Sequence, residues 1–224
     1  MGFGDIVKTM ARDARPARTP ANRGPLRTAR RRMSIPERKH EIVLAAARLF
    51  DVHGFGPVTV DEIAGEVGVS KAAIYYYFSS KQEILEEVFR HVEQYVHENF
   101  DRRSDATDDP LALLRGVIFD LLEMHNQLPS HQRVYVHSVA DLSPDVLAEV
   151  VASKEDYRRK VGDALLIARA RGLVAFEETR ITVQQILGMG SYSYQWWDPD
   201  RDDPQTVADQ FWANIYGGLS SSSR

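Results

Sequence analysis

Few side chains in this sequence are spaced for covalent chemistry. There is no cysteine, which removes thiolate nucleophiles, thiolate metal sites and disulfides together. His91, His97, His125, His131 and His137 do not form a metalloprotease pattern. Gly188-Met189-Gly190 follows no strand, so it is no dinucleotide loop, and no serine sits in a nucleophile elbow. An enzyme is not expected, and neither a cofactor nor a metal is implied. Residues 59–81 carry hydroxyls, lysines and small apolar side chains suited to recognition instead of catalysis. Hydroxyls and lysines hold phosphate oxygens, and a small apolar side chain can meet a thymine methyl.

Such side chains need a rigid scaffold. Thr59-Val-Asp-Glu62 is a capping box that opens a short helix ending near Gly68. Gly68-Val69-Ser70 makes a tight turn, and Ser70 caps a helix running from Lys71 to Phe78. Ile63, Val67, Val69 and Ile74 can pack inward and hold the two helices at a fixed angle. A side chain at Gly68 is expected to crowd them. Helix, glycine turn and helix form a helix-turn-helix, whose second helix can enter the major groove. Upstream, Ser34-Ile-Pro-Glu37 is another capping box, followed by Ile42, Ala45, Ala46, Leu49 and Phe50 at the spacing of a buried helix face. Downstream, Ser80 begins a long helix carrying Ile84, Leu85, Val88, Val92, Tyr95 and Val96.

The remainder also reads as helical. Leu111, Leu114, Val117, Ile118, Leu121 and Leu122 share one face, and a long helix runs from Pro144 to Arg171 before Gly172. Residues 180–197 and 204–219 make the last two helices. Strand alternation and internal repeats are absent, so the class is all-α with about nine helices. No apolar run approaches the roughly 20 residues that cross a bilayer, and a cytoplasmic location is expected. The net charge of -4 is uneven along the chain. Residues 1–33 carry nine bases against two acids and read as a disordered basic arm. Residues 34–80 form the reader and hold four bases against six acids; residues 81–220 form an acidic body.

The segment Ile42–Leu85 resembles the DNA-binding domain of the TetR family of transcriptional repressors. The resemblance rests on Ala46, Phe50, Gly54, Thr59, Ile63, Ala64, Gly68, Val69, Ser70, Tyr75, Phe78, Lys81 and Leu85, in order and at the family spacing. It implies that Lys71, Ala72, Ala73 and Tyr76 face base edges. Tyr75 and Tyr77 would reach phosphates or the groove wall, and Thr59 and Lys81 would hold phosphates, with Ser70 at the turn between them. Many members carry histidine where Tyr77 stands. Tyr75 and Phe78, three residues apart, can equally be core.

The resemblance also implies a homodimer on a palindromic double-stranded operator, released by a small-molecule effector. Val183, Ile186, Leu187, Gly190 and Tyr194, with Val207, Phe211 and Ile215, are expected to face the mate. His125, Tyr135, Tyr157, Gln185, Met189, Tyr192 and Trp196 are expected to line a cavity. The competing reading makes all of them monomer core, and His125 extends the apolar stripe Ile118-Leu121-Leu122. Tyr194-Gln-Trp-Trp-Asp-Pro199 is similar to members that sense CoA thioesters of lipid and steroid breakdown. Arg115, Arg133, Arg169 and Arg180 are candidates for an anionic effector. An activator, or a DNA-binding protein without an effector, remains the alternative. Because the reader is not basic, the arm is expected to supply phosphate contacts. Deleting residues 1–32 should lower operator affinity and flatten its salt dependence, measured by titration at several ionic strengths.

Overall fold

The structure is a computed structural model that describes residues 34–220; the arm read in residues 1–33 lies outside the described residues. Nine α-helices occur among the described residues. They are α1 (Ile35–His53), α2 (Val60–Val67), α3 (Lys71–Tyr77), α4 (Lys81–Ala106), α5 (Pro110–Gln127), α6 (Pro129–His137), α7 (Pro144–Ala170), α8 (Thr179–Tyr192) and α9 (Pro204–Ser220).

Local chemistry starts the reader helices where the sequence places them. Ser34 Oγ accepts from the Glu37 amide while the Glu37 carboxylate accepts from the Ser34 amide. Thr59 and Glu62 repeat the arrangement at α2. A cap of this kind contributes about 1 kcal/mol. Gly68 ends α2 in the left-handed region at φ 74°. A Cβ at Gly68 would meet nothing within 4 Å. Backbone conformation, not the crowding expected from the sequence, is therefore what demands glycine here.

Two hydrophobic cores form. The reader core joins Ile42, Phe50, Ile63, Ile74 and Phe78 to Ile84, Leu85, Val88 and Phe89 of α4, and takes Val134 from α6. The body core joins Val92, Tyr95 and Phe100 of α4 to Leu114, Ile118, Leu122, Leu165 and Ile186. Packing thus runs unbroken through residue 81, where the reader and body meet in the sequence. On α6, Arg133 reaches across to α1 and grips Asp51 with both ends of its guanidinium, at 2.7 and 2.5 Å.

The α8 part of the stripe expected to face a mate, from Val183 to Gly190, is inside the monomer. Val183, Ile186, Leu187 and Gly190 are buried, and Val207, Phe211 and Ile215 pack against the same core. The reason is the close seat of α8 on α5: a Cβ at Gly190 would lie 2.8 Å from Leu121 Cβ. Tyr194 is half-buried, its ring edge-on to His137 of α6. The α-helix also stops at Tyr192 instead of continuing to 197, and Ser193–Gln195 forms a 3-10 turn. Ser193 Oγ turns back to donate to the Gly190 carbonyl at 2.6 Å.

Gly68→Ala should cost about 1 kcal/mol of stability, because alanine resists the left-handed region. Gly68→Asn should cost less, since asparagine tolerates that region. Urea unfolding of the two variants checks the order.

Candidate nucleic-acid interface and effector cavity

Helix α3 is held from beneath and bare above. Ile74 and Phe78 are fully packed into the reader core, so Phe78 is core and not a contact residue. Lys71, Ala72, Tyr75 and Tyr76 are exposed, Tyr76 by 73%; Ala73 and Tyr77 are half-buried. The Tyr76 and Tyr77 rings meet edge to face at 4.9 Å. Ser70 and Thr59 use their side-chain oxygens to cap α3 and α2, which places both hydroxyls at the outer edge of the motif. Lys71 Nζ donates to Asp61 at 2.7 Å, and that hydrogen bond raises its pKa and keeps it charged.

Lys81 does not stand ready for a phosphate as expected. Its ammonium donates to the carbonyls of Phe55, Gly56 and Val58 at 2.7, 3.0 and 2.7 Å, and it sits 4.3 Å from the Phe55 ring centre. An ammonium has three hydrogens, and all three point at the α1–α2 loop. Lys81 is therefore a clamp that positions α2 for the turn.

In the body, a cavity of about 400 Å³ lies among α4, α5, α6, α7 and α8. Val92, Val96, Leu121, Met124 and Leu187 make it apolar, and Tyr135 and Tyr157 line it as expected. Gln185, Met189, Tyr192 and Trp196 do not. Instead α8 presents Gln184, Leu187, Gly188 and Ser191. Burial of Val183, Ile186 and Gly190 against α5 and α7 rotates the expected face outward, where Tyr192 is 66% and Trp196 48% exposed. His125 is a satisfied core histidine. It bonds the Gln132 side chain through Nδ1, and Ser193 Oγ through Nε2 at 2.5 Å. Burial lowers its pKa. It borders a separate hollow of about 360 Å³ beside Trp197 and Tyr194.

The cavity's polar groups are ones the sequence reading missed. Glu93 accepts from the hydroxyls of Tyr135 and Ser153. Lys154 Nζ lies 4.4 Å from the Tyr135 ring centre, and burial lowers its pKa against the opposing pull of Glu93. Arg158 also lines the wall. Lys154, Tyr157 and Arg158 stand at i, i+3 and i+4 and so share a helix face. That spacing was the available signal, hidden in a run that reads as solvated charge. The four arginines expected at an anionic effector are engaged elsewhere. Arg115 pairs with Asp209, Arg133 with Asp51 and Arg180 with Glu178, and Arg169 covers the Phe176 ring. Among the described residues no histidine or carboxylate cluster is arranged to hold a metal, and no helix is long and apolar enough to cross a membrane.

This geometry defines a helix-turn-helix reader on a helical body with an open, largely apolar cavity. Residues 42–88 match the family described as bacterial regulatory proteins, tetR family, and residues 107–219 match the tetracyclin repressor-like C-terminal domain. The chain is 30% identical over 213 residues to the transcriptional activator FasR of Mycolicibacterium smegmatis, covering 91% of this chain and 95% of that one. It is 24% identical over 188 residues to the transcriptional repressor KstR2 of the same organism, covering 83% and 92%. Among solved structures, the ketosteroid regulator KstR2 of Mycobacterium tuberculosis superposes with a TM-score of 0.75 at 22% identity, over 83% of this chain and 96% of that one. AibR, solved with isovaleryl coenzyme A and operator DNA, gives 0.72 at 23% identity, over 80% and 98%. The chain belongs to the TetR family of DNA-binding transcription regulators. These relatives are regulators and not enzymes, and they include both an activator and a repressor.

Lys81→Met should lower stability by about 2 kcal/mol through loss of its charged hydrogen bonds. It should also weaken binding to every DNA sequence alike, because α2 and the turn lose their anchor. Thermal unfolding and DNA titration measure the two effects.

Proposed function

We propose that this regulator acts as a repressor: a homodimer bound to a two-half-site operator and released when an amphipathic acyl effector fills the cavity. The observation that carries the reading is that α4 and α6 each belong to both places. α4 puts Ile84, Leu85, Val88 and Phe89 in the reader core and Val92, Glu93 and Val96 on the cavity wall. α6 gives Val134 to the reader core and Gln132 and Tyr135 to the wall. A ligand that changes the wall therefore acts on the seat of the reader. Two reader helices fit one operator when they lie roughly 34–36 Å apart. An effector that favours another spacing weakens binding by its differential affinity, typically about 1–3 kcal/mol.

Residues 34–80 work as the reader and residues 81–220 as the sensing and pairing body. On the reader, Lys71, Ala72, Ala73 and Tyr76 meet base edges, and Thr59, Ser70, Tyr75 and Tyr77 meet the backbone or groove wall. Exposure of α3 supports the assignment. For pairing, the face of α8 that carries Ile181, Gln185, Met189 and Tyr192, continued by Trp196 just beyond it, suits a second copy. Ile181, Tyr192 and Trp196 are exposed, and α9 exposes Ala213 and Gly217, small residues that let a mate helix come close. The effector is a thioester of coenzyme A with an acyl or steroid group. An apolar cavity supports the acyl part, and Lys154 and Arg158 outnumber Glu93, which supports an anionic head. AibR's complex with isovaleryl coenzyme A supports the same class. The cytoplasm is where such a thioester and the operator meet. FasR, a transcriptional activator, supports activation as the second reading of polarity.

Gly188 faces the cavity with open space at its Cβ position. Gly188→Leu should fill the cavity and abolish release by acyl-CoA thioesters while operator affinity stays within about twofold. Operator titration with and without a panel of acyl-CoA thioesters measures this. A wild type that every thioester leaves bound to operator would overturn the effector reading and favour a regulator without one.

A further inference from the structure

Three histidines from three helices meet where the reader joins the body. His40 lies on α1, His91 on α4 and His131 on α6, and all three are buried. His91 Nδ1 and His131 Nε2 are 3.3 Å apart, and their rings stack with centroids 5.4 Å apart. The His40 ring centre is 5.2 Å from that of His91. A hydrogen bond between two imidazoles needs one N–H and one lone pair. Protonating both bonded nitrogens sets two donors face to face and breaks it.

Arg48 of α1 repels charge on His131. Glu87 of α4 lies 4.0 Å from His91 Nε2, but it also binds Arg90 at 3.0 Å. Burial pushes His91 down to about 2, with repulsion from His131 and His40 adding to it. Burial likewise pushes His131 down to about 3, and it lowers His40. The closed joint thus holds neutral imidazoles, whereas solvated ones titrate near 6.5.

We propose that His40, His91 and His131 form a proton-sensitive latch between reader and body, so that mild acidification loosens α1 from α4 and α6 and weakens operator binding without any effector. The sign follows from linkage. Folded pKa values lie below the solvated value, so the open joint binds more protons. Closure is fully favoured above about pH 6.5 and is lost as pH falls below it, by up to a decade per pH unit for each histidine freed. Opening matters because α1 carries Ile42 and Phe50 of the reader core, and α1 is what α4 and α6 hold. The latch rests on the DNA-binding role alone. It stands or falls independently of the acyl effector.

The test uses the full chain and its own operator, selected from genomic fragments. The operator Kd is measured from about pH 7.5 to about pH 5.5 at constant salt, with far-UV circular dichroism alongside. In the wild type, Kd should rise more than tenfold while helix content holds. His91→Gln and His131→Gln should each make the dependence shallower by about one proton. A flat wild-type profile, an unaltered slope in folded variants, or loss of helix together with affinity would overturn the proposal. Should either variant fail to fold, NMR titration of the wild type decides. The latch requires His91 and His131 to stay neutral in protein competent for DNA, and ordinary titration near pH 6.5 in that state overturns it.

Discussion

Helix α4 is shared by two hydrophobic cores, and the working of the molecule depends on that sharing. Its first turns are sealed into the reader by Ile84, Leu85, Val88 and Phe89; its middle is sealed into the body by Val92 and Tyr95. Packed interiors have few alternative arrangements and shift as units. A 26-residue rod rooted at both ends therefore carries displacement instead of absorbing it. α6 adds a second tie, with Arg133 gripping Asp51 on one side and Tyr135 at the cavity on the other. The histidine cluster lies buried among α1, α4 and α6, where an added charge meets little solvent.

The reader was legible in the sequence because its determinants are local. Two capping boxes, a glycine at a helix end and a serine cap each act over three or four residues, and the structure shows all of them. The body was legible only as a set of helices. α8 is apolar on two faces, and periodicity alone does not say which one meets α5. Leu121 and Gly190 settle it by their close approach, a fact that belongs to two helices 69 residues apart. The cavity's charged wall was hidden for a related reason. Lys154 and Arg158 share a helix face with Tyr157, yet that face reads as solvated charge until the position of α7 over Tyr135 is seen. Lys81 shows a third limit. A lysine at a helix start looks like a phosphate ligand until the Phe55–Val58 carbonyls are seen to converge on it.

Charge is distributed against the usual pattern for a DNA reader. Residues 34–80 hold more acids than bases, and three of the four bases, Arg38, Arg48 and Lys71, are paired with Glu41, Glu66 and Asp61. Affinity for any polyanion is correspondingly modest from this part alone. On the proposed reading, shape and hydrogen bonding from α3, with its exposed tyrosines and its alanines, carry a larger share of what the reader distinguishes.

The Lys71–Asp61 pair has a kinetic side as well. A regulator must sample a great excess of wrong sites before it meets the right one, and each wrong site holds it mainly through phosphates. Asp61 stands 2.7 Å from the Lys71 ammonium and offsets its charge. On the proposed reading, in which Lys71 meets DNA, a carboxylate carried on the reader itself would shorten residence at sites offering only phosphates and exchange some final affinity for speed of search.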